Sequence, residues 1–360
     1  LLVNIVNFSK DELKVAVEEI GEKTFRAQQI WSWIYNHGVK DFDRMSNISI
    51  ETRKKLASKF KIERLQASTT QKSADGTIKW LLKLEDGHEI ETVYIPEEDR
   101  GTLCISSQVG CILNCRFCHT GTQRLVRNLT AGEIVQQVLL ARDHLNEWPS
   151  TQEKRLISNI VLMGMGEPLY NYDNVSKALK IIMDDDGIAI SRRKITLSTT
   201  GIIPYIKLCA KDLRVNLALS LHAATNDLRT QLVPINKKYP LEELMPVCRA
   251  YQDESSSRRI TFEYVMLKNV NDSLQDAKNL VELIKGIDCI VNLIPFNPWP
   301  GAPYECSDDE QIKIFANYIN KSGHYAPIRT PRGQDILAAC GQLKSASIKM
   351  RLQKQEELVE

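Results

Sequence analysis

The chain has 360 residues, 43% of them hydrophobic and 26% charged, a balance that excludes a fibre, a mucin or a disordered tail. Its 47 Lys and Arg against 45 Asp and Glu leave a net charge of +2, so any surface for a polyanion has to be a local patch. No apolar stretch reaches the ~18 residues of a membrane helix and no basic-then-apolar leader is evident, so a cytoplasmic protein is expected.

Residues 1–60 read as a small helical domain. Ser9-Lys10-Asp11-Glu12 is a helix start of the capping-box kind, with apolar Leu13, Val15, Val17 and Ile20 behind it. A second helix runs from Gln28 to Tyr35, where Ile30, Trp31, Ile34 and Tyr35 have the spacing of a packed face. Glu51 to Arg64 holds six basic and two acidic residues and reads equally as a solvated helix face or as an RNA-phosphate contact. Residues 61–96 read as a β-hairpin linker, with Thr77 to Leu84, a turn at Asp86-Gly87, and a return over His88 to Ile95. In the returning strand Glu91 shares a face with Val93 and Ile95, and its spacing alone reads as a surface position on an edge strand.

Residues 97–335 alternate short apolar runs with helix-length segments such as Ala131 to His144 and Ser273 to Ile284. The strand candidates are Leu103–Ser106, Asn159–Met163, Lys194–Ser198, Val215–Leu221, Ile260–Met266 and Cys289–Ile294. Six β/α units in series predict an α/β fold with a parallel sheet, open or partly closed as a barrel. Polar residues gather just past the strand ends, at Gly166-Glu167, Ser198-Thr199, Ser220, His222 and Asn297, where parallel α/β architectures bind ligands. Residues 336–360 form a C-terminal segment that carries Cys340.

Nine cysteines at irregular spacing make a poor disulfide framework, yet Cys111, Cys115 and Cys118 lie within eight residues in the loop after the first barrel strand. Three thiolates from one loop can each take one iron of a [4Fe-4S] cube and leave the fourth iron open to an exogenous chelator. Zinc on Cys118-His119 would need a second ligand pair that is not evident. The C-x-x-C-H string from Cys115 to His119 would suit a c-type haem only in an exported protein, and would leave Cys111 unexplained. Taken alone, Cys340 and Cys104 read as small core residues.

The cysteine triplet with Gly166-Glu167-Pro168 resembles the radical S-adenosylmethionine (SAM) superfamily. The wider set is similar to one subfamily, the RlmN-type adenine-C2 RNA methyltransferases, over essentially the whole chain. It comprises Cys115 to Gly121, Met163 to Pro168, Leu197 to Gly201, Ser220-Leu221-His222, Ile294 to Pro298 and Ala339-Cys340-Gly341. The resemblance implies a partial (β/α)6 radical SAM barrel with a [4Fe-4S] cluster on Cys111, Cys115 and Cys118. SAM would be bound by Gly166, Glu167, Ser198, Ser220, Leu221, His222 and Asn297.

Adenine C2 is electron-poor and the SAM methyl is an electrophile, so a radical route removes a mismatch of polarity. By resemblance, Cys340 first takes a methyl from one SAM, which calls for an exposed thiol of lowered pKa. Radical chemistry from a second SAM then joins that carbon to C2, Glu91 removes the C2 proton, and Cys104 releases the product by forming a disulfide with Cys340. The implied substrates are 23S ribosomal RNA at the peptidyl-transferase centre and tRNA at the adenosine beside the anticodon. A flavodoxin-like electron donor and a monomeric state are implied too. Basic clusters at Arg192-Arg193-Lys194, Arg258-Arg259, and Arg329 with Arg332 are candidate RNA contacts. The alternative is a Cfr-like enzyme acting on C8 of the same ribosomal adenosine.

Overall fold

The computed structural model describes residues 2–150, 155–254 and 259–345; Arg258 and the tail from 346 to 360 lie outside the described residues. At the N-terminus, β1 (Val3–Asn4) leads to α1 (Lys10–Glu19), α2 (Phe25–Tyr35) and α3 (Ile50–Lys59). Helix α1 starts on Ser9, whose hydroxyl accepts the Glu12 N–H while the Glu12 carboxylate accepts the Ser9 N–H. Helix α2 buries Ile30, Trp31, Ile34 and Tyr35 as its spacing predicts. The region is not wholly helical, because β2 (Phe60–Lys61) follows α3 and pairs in parallel with β1. The basic run on and after α3 is neutralised within the molecule at three of its six positions. Lys55 pairs with Glu22, Lys61 with Glu63 and Glu85, and Arg64 is buried against Asp143.

The expected hairpin is a three-stranded antiparallel meander, β3 (Gln66–Lys72), β4 (Ile78–Lys83) and β5 (Glu89–Pro96). Strand β3 escapes the hydrophobic pattern because it is a polar, exposed edge strand of sequence QASTTQK. The meander continues directly into the barrel sheet. Strand β5 pairs antiparallel with β6 (Gly101–Cys104), which makes β5 an interior strand, and Glu91, two residues before the paired stretch, is buried.

After β6, the short antiparallel pair β7 (Gln108–Val109) and β8 (Arg127–Asn128) closes the base of the cysteine loop. The chain then runs α4 (Ala131–His144), β9 (Asn159–Leu162), α5 (Tyr172–Met183), β10 (Ile195–Thr199), α6 (Ile203–Asp212) and β11 (Asn216–Ser220). It completes the α/β part with α7 (Asn226–Leu232), α8 (Leu241–Glu254), β12 (Ile260–Met266), α9 (Leu274–Ile284), β13 (Cys289–Pro295) and α10 (Asp309–Lys321). The nine-stranded sheet has the order β13-β12-β11-β10-β9-β6-β5-β4-β3, with β6 and β9 to β13 mutually parallel. These are the six strands expected of the half-closed barrel.

Alternation along the strands separates two faces. Leu197, Leu217, Leu219, Phe262 and Leu293 are completely buried on one face. The opposite face carries polar residues in register: Thr196 lies opposite Asn216, Thr261 opposite Ala218, and Glu263 between Ser220 and Asn292. Thr196, Thr261, Glu263 and Asn292 all line one internal cavity. This face is therefore the polar interior of the barrel, and its functional groups stand on rigid strands.

Candidate active site

The cysteine loop is a compact turn stitched to its surroundings. The Cys118 N–H donates to the Cys115 carbonyl at 3.1 Å, the Arg116 N–H to Leu232 O at 3.2 Å, and the Cys111 N–H to Gln123 O at 3.3 Å. Gly110 opens the loop at φ +75°, where an added Cβ would lie 2.2 Å from the Arg124 carbonyl oxygen. All three thiols face one cavity of about 160 Å³ at the carboxyl ends of the strands. Burial raises each of them, Cys111 to about 12. They stay protonated until something replaces the proton, as a metal does.

No three His, Cys, Asp or Glu side chains among the described residues converge on a single metal-ion position. The donor set suits a polynuclear cluster with one thiolate per iron better than one zinc ion. His119 is engaged elsewhere, since its ring stacks on Trp299 with centroids 4.6 Å apart and its Nδ1 bonds the Gln342 carbonyl at 3.1 Å.

Gly166, Glu167, Ser198, Ser220, His222 and Asn297 line the same cavity as the three cysteines. Glu167 has its carboxylate engaged already: it accepts Thr200 N–H at 2.9 Å, Thr200 Oγ1–H at 3.0 Å and Leu169 N–H at 3.1 Å. It shapes the loop, and Gln108 holds it from behind by accepting the Glu167 N–H. His222 adopts φ +62° and accepts the Val265 N–H on Nδ1, so its ring is neutral, and burial depresses its pKa to about 3. Leu221 is the exception, for its side chain is fully buried and lines neither this cavity nor the larger one beside it. Its carbonyl accepts from Arg229 Nε at 3.1 Å.

A second cavity of about 610 Å³ runs along the polar barrel interior to a rim that bears Arg100, Arg329 and Arg332. Cys340 and Gly341 line both cavities, while Cys104, at the end of β6, lines only the second. The segment bearing Cys340 is tied to the cysteine loop. His119 N–H donates to Gly341 O at 2.7 Å, Thr120 Oγ1 to Leu343 O at 2.6 Å and Gln123 Nε2 to Ser345 O at 2.6 Å. Asn297 Nδ2 donates to Cys340 O at 3.2 Å.

All nine cysteines are free thiols. Cys340 is exposed, as expected, but its thiol is raised to about 11, first by desolvation among the groups that crowd it and next by the charge of Glu263. The expectation of a lowered pKa is corrected. Cys104 is raised by burial and by Cys340.

Glu91 lines neither cavity. Its carboxylate pairs with Lys79 at 2.9 Å and accepts the Lys344 N–H at 2.7 Å, and burial raises its pKa despite these partners. The surface reading of Glu91 is thus wrong, because Lys79 from β4 and the backbone at Lys344 close over its carboxylate. Sequence reasoning also passed over Glu263 and Arg229. The signal for Glu263 is a carboxylate in the middle of the apolar run Ile260–Met266. Arg229 carries no such signal, since a helical arginine reads as surface.

Of the candidate RNA contacts, Arg192, Arg193 and Lys194 are exposed. Arg259 pairs with Asp288 at 3.3 Å and Arg332 with Asp75 at 3.0 Å. No helix among the described residues is long and apolar enough to cross a membrane.

A barrel of this topology with a three-cysteine loop at its carboxyl end defines a radical SAM enzyme, and residues 105–284 match the radical SAM superfamily. Residues 3–62 match the ribosomal RNA large subunit methyltransferase N-terminal domain. The dual-specificity RNA methyltransferase RlmN of Rhodospirillum rubrum is 58% identical over 350 residues, 97% of this chain and 82% of that protein. Its counterpart in Parvibaculum lavamentivorans is 59% identical, covering 95% of this chain and 88% of that protein. The crystal structure of a radical SAM methyltransferase from Sphaerobacter thermophilus superposes with a TM-score of 0.89 at 41% identity, over 95% of this chain and 99% of that one. The chain belongs to the RlmN family of dual-specificity RNA methyltransferases.

Proposed function

We propose that this protein methylates C2 of an adenosine in 23S ribosomal RNA and of the adenosine beside the anticodon in tRNA, with Cys340 as the carrier of the transferred carbon. The observation that carries the reading is the position of Cys340. It stands exposed between the cavity of the three cysteines and the cavity that holds Cys104, on a segment bonded to the cysteine loop itself. Bound to Cys111, Cys115 and Cys118, a [4Fe-4S] cluster with one iron open to SAM would supply one-electron cleavage of the sulfonium and so a radical able to abstract hydrogen.

The chain's own residues do the rest. Gly166, Ser198, Ser220, His222 and Asn297 hold SAM at the strand ends, with Glu167 and the Leu221 backbone fixing the loops that do so. The Cys340 sulfur takes the methyl and presents its carbon to adenine C2. Glu91, held by the Lys344 N–H just past Cys340, takes the C2 proton when that segment shifts. Cys104 then attacks the Cys340 sulfur and leaves a disulfide, so each turnover needs an external reductant. The 1–60 region and the rim bearing Arg100, Arg329 and Arg332 contact RNA phosphates, whose energetics are strongly salt-dependent. The 61–96 meander, the 97–335 barrel and the 336–360 segment are the remaining working units, and a flavodoxin-like donor supplies electrons.

Cys104→Ala tests the assignment. The variant should accumulate a protein–RNA adduct stable to denaturing electrophoresis and lost on nuclease digestion. A variant that turns over normally contradicts it.

A further inference from the structure

The first methyl transfer needs a thiolate, and Cys340 sits where its proton is hard to lose. A base on a cavity wall shared with Cys340 would take that proton. We propose that the Glu263 carboxylate takes the proton from the Cys340 thiol as its sulfur attacks the methyl of SAM, an inference that rests on the role of Cys340 given above.

Glu263 projects from the middle of β12 into the barrel, in register with Ser220 on β11 and Asn292 on β13. It is nearly fully buried, and it lines both cavities, as Cys340 does. One carboxylate oxygen is oriented by Asn292 Nδ2 at 3.0 Å. The charged or titratable groups that act on it from the surrounding elements are Arg329, beyond β13, and Cys340 itself.

The other candidate bases are engaged. Glu167 is saturated by Thr200 and Leu169, Glu91 lies outside both cavities, and Glu97 pairs with Arg100. His222 already accepts the Val265 N–H on Nδ1. Desolvation raises Glu263 to about 7, near the operating pH at which a general base is most effective.

The step balances without a redox partner. A Cys340 sulfur lone pair forms the new S–CH3 bond, the sulfonium–CH3 bond breaks with its electron pair going to the departing thioether S-adenosylhomocysteine, and the thiol proton ends on Glu263.

The test uses the full chain reconstituted with iron and sulfide and mixed with SAM without reductant, following the mass of the Cys340 peptide. Glu263→Gln should slow S-methylation about a hundredfold at pH 7.5, within the range of general-base effects. Glu263→Asp should restore part of the rate, and the wild-type rate should rise through about pH 7 and then level off. Alkylation of Cys340 by iodoacetamide should slow as well, because the same base assists attack by the same thiol, while melting temperature and bound iron stay at their wild-type values. Equilibrium dialysis should give unchanged SAM affinity.

Equal methylation rates in variant and wild type overturn the proposal. So does a loss that tracks SAM affinity, which would make Glu263 a SAM contact, or a slowing that comes with a lowered melting temperature or lost iron, which would make it structural. If wild-type Cys340 itself is never methylated, the carrier role fails first and the base role with it.

Discussion

Among the described residues Arg229 is completely buried with no acidic ion-pair partner, and it joins the backbone of the strand ends beside the three-cysteine cavity. Its guanidinium donates to Leu221 O at 3.1 Å, Thr200 O at 2.6 Å, Ser220 O at 3.2 Å and Asn236 Oδ1 at 2.8 Å. Arg229→Met keeps the length of the stem and removes all four bonds. Each buried acceptor left without a donor costs about 1–3 kcal/mol, offset in part because a desolvated cation is also removed, which gives a net loss of about 3–5 kcal/mol. At about 2 °C per kcal/mol for a large domain, the melting temperature should fall by about 6–10 °C. Arg229→Lys should recover less than half of this, since one ammonium cannot span four acceptors. The assay is thermal unfolding followed by circular dichroism, with SAM affinity measured on the folded protein at low temperature, and affinity should fall with stability because Ser220 and Leu221 lose their anchor. A Met variant that melts within about 2 °C of wild type would mean that Arg229 does not anchor these carbonyls, since losing four hydrogen bonds should shift melting several times further.

Glu91→Gln keeps the shape of the carboxylate and its bond from Lys344, and should retain S-methylated Cys340 while RNA product falls about a hundredfold, as expected for loss of a general base; normal RNA methylation would refute the base role. His222 is neutral in the fold at about 3 against 6.5 when unfolded, so only the unfolded chain takes up its proton between those values and stability falls as pH drops through that window. His222→Asn tolerates the positive φ and keeps an acceptor for Val265, so urea midpoints at pH 7 and pH 5 should differ less than in wild type. His119→Ala removes the stack on Trp299 and the bond to Gln342 O, about 1–2 kcal/mol together, and should lower S-methyl occupancy of Cys340 with bound iron unchanged. Equal occupancy by mass spectrometry would show that the tie between the two loops is dispensable.

The barrel was legible because buried parallel strands write themselves as short apolar runs between helical segments: Ile260–Met266 is read to the residue, and the other strands within about two positions. The cluster loop was legible because three cysteines in eight residues have few structural uses. What stayed hidden depends on register and neighbours. Glu91 looks exposed until Lys79 and the distant Lys344 backbone are known to close over it, and Ser9 needs no such knowledge because a cap is local. The raised thiol of Cys340 depends on Glu263, 77 positions away in sequence (340 minus 263), and no window along the chain brings the two together. Leu221 was carried into the site by its neighbours Ser220 and His222, yet strand alternation turns its side chain away.

Methylation of adenine C2 by this chain depends on Cys340 as the carrier of the carbon. The most direct measurement is mass spectrometry of both partners after anaerobic reconstitution with iron and sulfide and incubation with SAM, a reductant and a ribosomal RNA fragment. S-methylcysteine at position 340 and 2-methyladenosine in the RNA are expected. Iron bound with neither modification would contradict it, and 8-methyladenosine in place of 2-methyladenosine would contradict the assignment to C2.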